Sequence, residues 1–454
     1  MLSIADLAVV VLAFAAMYLA ARRGKGSDAQ GFIVAGRSLT IPFFVASLVA
    51  TWYGAILGSG EFILRYGVVF LLCFGLPYYV VALLYAGFLA KRIHNAQAVS
   101  IPDQFGRVYG PRGRTISALV LLVITTPASY QLMMGIVLAY SLQIPLLVGI
   151  AAGTVVSIAF VAGGGLRSDI YANTVQFVLM YAGMSALVFF AVRAFGSPAT
   201  MWTALPESTT ALPGSVGWTG VAGWFLIALQ TFIDPNFYVR TVAANSQHVA
   251  RRGLAISVAC WMIFDALQLL AGLYVVAYAP ATDPTLSYLS FGAQVLPPVA
   301  HGLFIASLLA VVMSAVDGYA LSGATMLAHD IGHSIGRNHS PLMRYRIALV
   351  LVAAVGMTVA YVVPSIIDII FYGGSIAVSA VLLPLILSFT SFAPRLRSTI
   401  VLQLTFPAMA AIISRIGSIG EPIFVGLFAS AVVTSLAILF TRHAKAARNT
   451  LHGL

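Results

Sequence analysis

Long apolar runs broken by short polar segments account for most of the chain. A helix needs about 20 mostly apolar residues to cross the hydrocarbon core of a bilayer. Thirteen stretches meet that need: residues 4–21, 39–64, 67–90, 114–141, 143–162, 172–195, 219–239, 250–279, 296–327, 344–363, 366–390, 399–417 and 421–441. The first, Ile4 to Ala21, lacks a basic segment before it and a small-residue cleavage site after it, so it reads as an uncleaved span. Its far end carries Arg22, Arg23 and Lys25.

Basic residues stay on the cytoplasmic side of short loops. With the amino terminus outside and the carboxyl terminus inside, all but Arg65, Arg193 and Arg415 of the 24 lysines and arginines fall inside, Arg240, Arg251 and Arg252 among them. The net charge of +11 is thus a topology signal, and a nucleic-acid partner is not expected. Only 8% of residues are charged and 60% are hydrophobic, which excludes a soluble globular fold. The reading is an all-α polytopic membrane protein in the cell (inner) membrane.

No loop is long enough for a soluble catalytic or nucleotide-binding domain, and GxxxxGK[ST], HExxH and GxSxG are all absent. An enzyme is therefore not expected. Cys73 and Cys260 have no metal or disulfide spacing. His329, His333 and His339 cluster at one span end without a third metal ligand at site spacing, so they read as solvated loop residues. The segment from His94 to Gly113 has room for a short interfacial helix.

Breaks in a spanning helix are tolerated where they line a cavity or are buried in protein. Gly54, Gly58 and Gly60 in the second span fit either an unwound helix or a close-packing face. In TFIDPNF, Asp234 and Pro235 read foremost as the inner end of the seventh span, with a mid-membrane break as the alternative. An acid at a helix centre costs roughly 2.5–3.5 kcal/mol, so each needs a partner, water or a proton. Glu61, Asp265, Asp317 and Asp368 fall within these spans. Glu61 and Arg65, four apart, form either a structural ion pair or an outer gate. Asp317, among small and hydroxyl residues, is either a coupling group or a hydrogen-bonded brace, and Asp265 reads as a structural partner.

Four passages carry a resemblance that covers most of the chain: FIVAGRSLTIPFFVASLVATWYGA at 32–55, GGGLRSDIYANTVQ at 163–176, DPNFYVRTVAANSQHVARRG at 234–253 and GLFIASLLAVVMSAVDGYALSGATMLAHDI at 302–331. Together, in order and spacing, they resemble the sodium:solute symporter family. The resemblance implies a LeuT-type 5+5 inverted repeat with flanking helices. It divides the chain into a flanking helix and loop at 1–37, a first repeat at 38–195, an external loop at 196–218, a second repeat at 219–390 and two closing helices at 391–454.

The resemblance also implies cation-coupled symport by alternating access, with sodium as the expected ion. It places the ion near the carbonyls of Ala50, Tyr53 and Val311 and the hydroxyl of Ser314, oxygen ligands suited to a hard cation. The pattern departs from the family at Ala315, where a second hydroxyl is usual, at Trp52, where the broken helix often has a polar residue, and at Ala172 and Asn173, where Thr-Asp is usual. A proton on Asp317 or Glu61, or uncoupled transport, is the alternative.

Substrate or coupling candidates are Thr51, Trp52, Leu57, Gln230, Asp317, Tyr79 and Tyr372, with Tyr78 and Leu76 also near the implied cavity. Leu57 and Leu76 replace polar groups of the family's sugar carriers, and unpaired polyol hydroxyls are costly. The expected solute is therefore small and amino-acid-like or a carboxylate. No organic cofactor and no obligate protein partner are implied. A transporter-like membrane sensor is the remaining alternative.

Overall fold

The computed structural model describes residues 2–26, 28–279, 283–332, 340–363 and 366–451, with side chains described up to 363 and from 371 to 439. His333, His339 and the Asp368 side chain lie outside these. Twelve described helices are long and apolar enough to cross a membrane, and the shorter apolar helix Leu146–Val161 makes thirteen. In chain order the others are Ile4–Arg23, Ile41–Val69, Leu71–Ala96, Pro111–Leu142, Leu166–Phe195, Gly214–Ala243, Gln247–Tyr278, Ala300–Ile331, Pro341–Val362, Ile366–Ser388, Ile400–Gly417 and Pro422–Leu451. Each matches one apolar stretch of the sequence, and they are counted below as first to thirteenth. The short helix expected between His94 and Gly113 is Ile101–Tyr109, capped by the Ser100 hydroxyl.

The ninth span is the axis of the bundle. It is buried along nearly its whole length because the first, second, fourth, fifth, sixth and tenth spans pack around it. Small residues permit this. A side chain on Gly183 of the sixth span would collide with Ser307, and one on Gly54 of the second would collide with Ala315 and Tyr130. The first span clasps the axis through Asp6, which accepts from the backbone N–H groups of Val299 (3.0 Å) and Gly302 (2.8 Å). A carboxylate there satisfies donors that a helix start leaves free.

Three spans are interrupted at mid-length: the fourth at Thr126-Pro127, and the second and the seventh, the two whose breaks line a central cavity. The second runs as α-helix over Ile41–Trp52, tightens to a 3-10 turn at Tyr53–Ala55 and resumes as Ile56–Tyr66. Gly54 thus serves both readings of the sequence, a local change of helix type at a close-packing contact. The seventh is interrupted at Asp234, whose backbone is extended, and restarts at Pro235 to run to Ala243. Proline lacks an N–H and disfavours helical geometry in the residue before it, which fixes the interruption here. This corrects the reading of Asp234-Pro235 as a terminus at the inner surface: both residues are buried between two helical halves. Leu39 and Ala244 bridge the start of the second span to the end of the seventh, through Leu39 N–H to Ala243 (3.1 Å) and Asn245 N–H to Leu39 (3.0 Å).

Candidate functional site

The two breaks line one cavity of about 90 Å³. Its wall is aromatic. Trp52 stacks on Trp261 (5.2 Å between ring centroids) and meets Tyr78 (5.0 Å) and Phe237 (5.4 Å) edge-on. Opposite, Tyr130 stacks on Tyr319 at 5.0 Å. Polar groups enter at fixed points. Tyr319 donates to Asp234 Oδ2 at 2.7 Å, Tyr79 donates to Asp265 Oδ2, and Gln268 donates to Asp265 Oδ1 at 3.2 Å. Gln230 and Ser59 complete the polar part of the lining.

An aromatic lid separates this space from a second, larger hollow. Phe74 and Trp224 lie 4.4 Å apart, with Phe62 at 5.7 Å and Phe371 at 5.9 Å from Trp224. Beyond the lid, Tyr372 lines the outer hollow, and the guanidinium of Arg415 sits 4.1 Å over its ring. Large flat rings close such a passage without leaving polar groups unpaired.

Behind the second span's break lies a fully buried polar network. Ser314 donates to Asn173 Oδ1 at 2.7 Å and lies 3.0 Å from the Thr51 hydroxyl, while Asn173 donates to Ser47 at 3.1 Å. At its centre is Arg240. Its guanidinium donates to Ser47 (2.7 Å), Thr51 (2.8 Å), Asn236 Oδ1 (3.0 Å) and Asp169 Oδ2 (2.9 Å), with both Arg240 and Asp169 at 0% exposure. A buried charge demands such pairing, and the planar fork of arginine can satisfy four partners at once. Four spans, the second, sixth, seventh and ninth, are thus tied at one point.

Neither member of this ion pair stands out in the sequence. Arg240 reads there as a loop residue that helps set orientation, whereas it lies inside the seventh span; the arginine bias rests on the others. Asp169 precedes the apolar stretch that begins at residue 172, but the helix starts at Leu166. The helical segments also include Asp6, Asp234 and Asp330 beyond the acids the sequence reading counted. The extended residue before Pro235 was the usable signal, because it shows that the helix could resume and carry Arg240 inward.

The candidate residues divide into groups. Trp52, Tyr53, Tyr78 and Gln230 line the central cavity, and so does Asp265, read from sequence as structural. Thr51 points into the Arg240 network instead. Tyr79 reaches the cavity through Asp265. Ala50, Leu57, Val311 and Ala315 are all buried, and Ala315 packs against Gly54 where the second and ninth spans meet. Asp317 accepts from Ser157 of the fifth span, and its other oxygen has no hydrogen-bond partner among the described residues. Glu61 and Arg65 pair at 2.9 Å, and Thr285 donates to Glu61 at 3.3 Å, at the far end of the helix from the break. Among the described residues no cluster of metal-binding side chains is present.

At the arginine-rich end a second charge cluster joins the short helix to the fourth and ninth spans. Asp103 pairs with Arg107 (2.9 Å) and with Arg114, and His329 lies at 3.8 Å. Burial alone would raise the Asp103 carboxyl, but His329, the Val99 N–H, Arg107 and Arg114 hold it well below the usual carboxylate range. Ser100 donates to Asp330 at 2.7 Å beside it.

The fold is shared by known carriers. A Na+-coupled sialic acid symporter, substrate-bound and outward-open, matches with a TM-score of 0.81 at 16% identity, covering 96% of this chain and 97% of that one. A nucleobase-cation-symport-1 family transporter in a closed conformation matches with a TM-score of 0.62 at 11% identity, covering 92% and 96%. The bundle has the LeuT-like fold of these carriers, with two interrupted spans lining one cavity. The chain belongs to the sodium:solute symporter family, whose profile matches residues 32–399. Sodium/pantothenate symporters of Haemophilus influenzae and Escherichia coli are both 25% identical to it, over 70% and 71% of this chain and 69% and 70% of theirs. It is accordingly a multi-pass membrane transporter that couples a small organic solute to sodium.

Proposed function

We propose that sodium binds where the 3-10 turn of the second span meets the ninth, at the carbonyls of Ala50, Tyr53 and Val311 and the hydroxyl of Ser314. The solute occupies the cavity between Trp52, Gln230 and Asp265. One observation carries this reading: the Ser314 hydroxyl lies in a dry polar network directly behind the break, while the cavity opens on its other side. Carbonyls and one hydroxyl suit a hard cation, and Ala315 removes a further oxygen, so the site is a weak one. Alternating access follows from the two ends: the Phe74–Trp224 lid closes one, and the Asp103–Arg114–Asp330 cluster latches the other.

The termini follow from the arginine bias, with the amino terminus outside and the carboxyl terminus in the cytoplasm of a cell whose inner membrane holds the protein. The repeats span 38–195 and 219–390. Of the two solute classes the sequence suggests, the lining favours the amino-acid-like one. The unpartnered oxygen of Asp317 favours one second reading, in which a proton moves with the solute.

The test is solute-dependent sodium flux in proteoliposomes under separately imposed sodium and proton gradients, with amino acids as solutes. Accumulation driven by a sodium gradient alone is expected. Accumulation driven only by protons would transfer coupling to Asp317.

A further inference from the structure

The central cavity is acidic and aromatic, and among the described residues no basic side chain lines it. Asp265 is 3% exposed and accepts from the neutral donors Tyr79 and Gln268, with the neutral Tyr53 hydroxyl beside it; among the described residues it has no basic partner within ion-pair distance. Asp234 closes the other side. Its Oδ1 accepts from the N–H groups of Asn236 (2.7 Å) and Phe237 (3.2 Å). Those are the donors at the start of the half-helix Pro235–Ala243, the positive end that would otherwise receive an anionic solute. The chain's own carboxylate already fills that position. The nearby base, Arg240, is committed to Asp169, Ser47, Thr51 and Asn236 behind the break.

A solute whose only charge is a carboxylate would enter this space beside two carboxylates with no opposite charge to meet it, and a buried unpaired charge is strongly disfavoured. A cationic nitrogen meets the opposite conditions. The rings of Trp52, Tyr78, Tyr130 and Tyr319 line the space, and ring faces attract cations when desolvated. Resting on the reading of this cavity as the solute site, we propose that the solute carries an ammonium or quaternary ammonium group, held between Asp265 and the aromatic wall around Trp52. The half-helix cap at Asp234 excludes anionic competitors.

The test uses purified full-length protein in detergent with sodium chloride present, followed by thermal unfolding and tryptophan fluorescence. The probes are choline, tetramethylammonium, pantothenate and myo-inositol. Choline or tetramethylammonium is expected to raise the unfolding temperature and perturb tryptophan emission, and pantothenate and inositol are expected to do neither. Asp265→Asn should weaken the cation effect about tenfold or more, the size of losing one charged partner, and Asp265→Glu should restore part of it. The sodium-induced shift of both variants reports that they remain folded. Binding of pantothenate or inositol without the cations overturns the charge class and leaves the cavity as the solute site. Binding of any probe that Trp52→Leu leaves unchanged, or no binding by any probe, overturns the cavity reading together with the proposal.

Discussion

The two broken spans at the cavity solve the same problem by opposite means. In the second, the interruption is neutral: helix type changes over Tyr53–Ala55, and Gly54 admits the ninth span so closely that no side chain would fit. In the seventh it is chemical: proline removes a donor, and Asp234 replaces the lost helix geometry with a charged cap. On the proposed reading, the neutral break offers its carbonyls to a cation, and the charged break sets Asp234 at the solute cavity. Arg240 joins them, since it rides on the second half of the seventh span and bonds to Ser47 and Thr51 just before the turn in the second. On that reading the ion region and the solute region are adjacent, and one guanidinium ties the two spans together.

Removing that link has the largest expected effect. Arg240→Ala leaves Asp169 buried without its partner, at a cost of about 3–5 kcal/mol. A large drop in unfolding temperature is expected, and Asp169→Asn on the same chain should recover part of it. An unchanged unfolding temperature in the single variant would show that the two breaks are not tied. Next comes the neutral break: Gly54→Val overlaps Ala315 and Tyr130, for about 1–3 kcal/mol of overpacking. Gly54→Val with Ala315→Gly should be better tolerated than the single change, and a comparable substitution at exposed Gly87, which has open space, should cost little.

The charged break should respond more mildly in stability. Asp234→Ala removes a helix cap for about 0.5–2 kcal/mol, yet it should admit anions to the cavity, as measured by pantothenate-dependent thermal protection. Smallest is the latch at the arginine-rich end. Because the Asp103 carboxyl is held below its ordinary range, its contribution is present above pH 4 or so, near the unfolded carboxylate value, and is lost as pH falls through the lowered one. Asp103→Asn should therefore lower the neutral region of a stability-versus-pH curve and leave its acid end unchanged, which flattens the acid limb. A parallel displacement of the whole curve would mean that Asp103 does not carry that charge.

The spans were legible because lipid imposes one requirement, apolar length with internal hydrogen bonding, that a single sequence displays directly. Trp52 and Gln230 were legible as cavity residues from the resemblance. Three features were not. Asp265 looked structural because nothing in WMIFDALQLLAG shows that Tyr79 and Gln268 hold it against open space. Arg240 resembled its loop neighbours Arg251 and Arg252 because the helix after Pro235 is short and mixed in polarity. Asp169 lies outside the apolar run that marked its helix. Each depends on a contact between residues far apart in the chain, and local pattern carries no record of such contacts.

The central claim is that sodium sits between the neutral break and Ser314. Equilibrium binding of radiolabelled sodium to the purified protein tests it without knowledge of the solute. Saturable binding is expected, weakened about tenfold by Ser314→Ala, as for loss of one ligand, and strengthened by Ala315→Ser. Saturable sodium binding of equal affinity in all three proteins would contradict it.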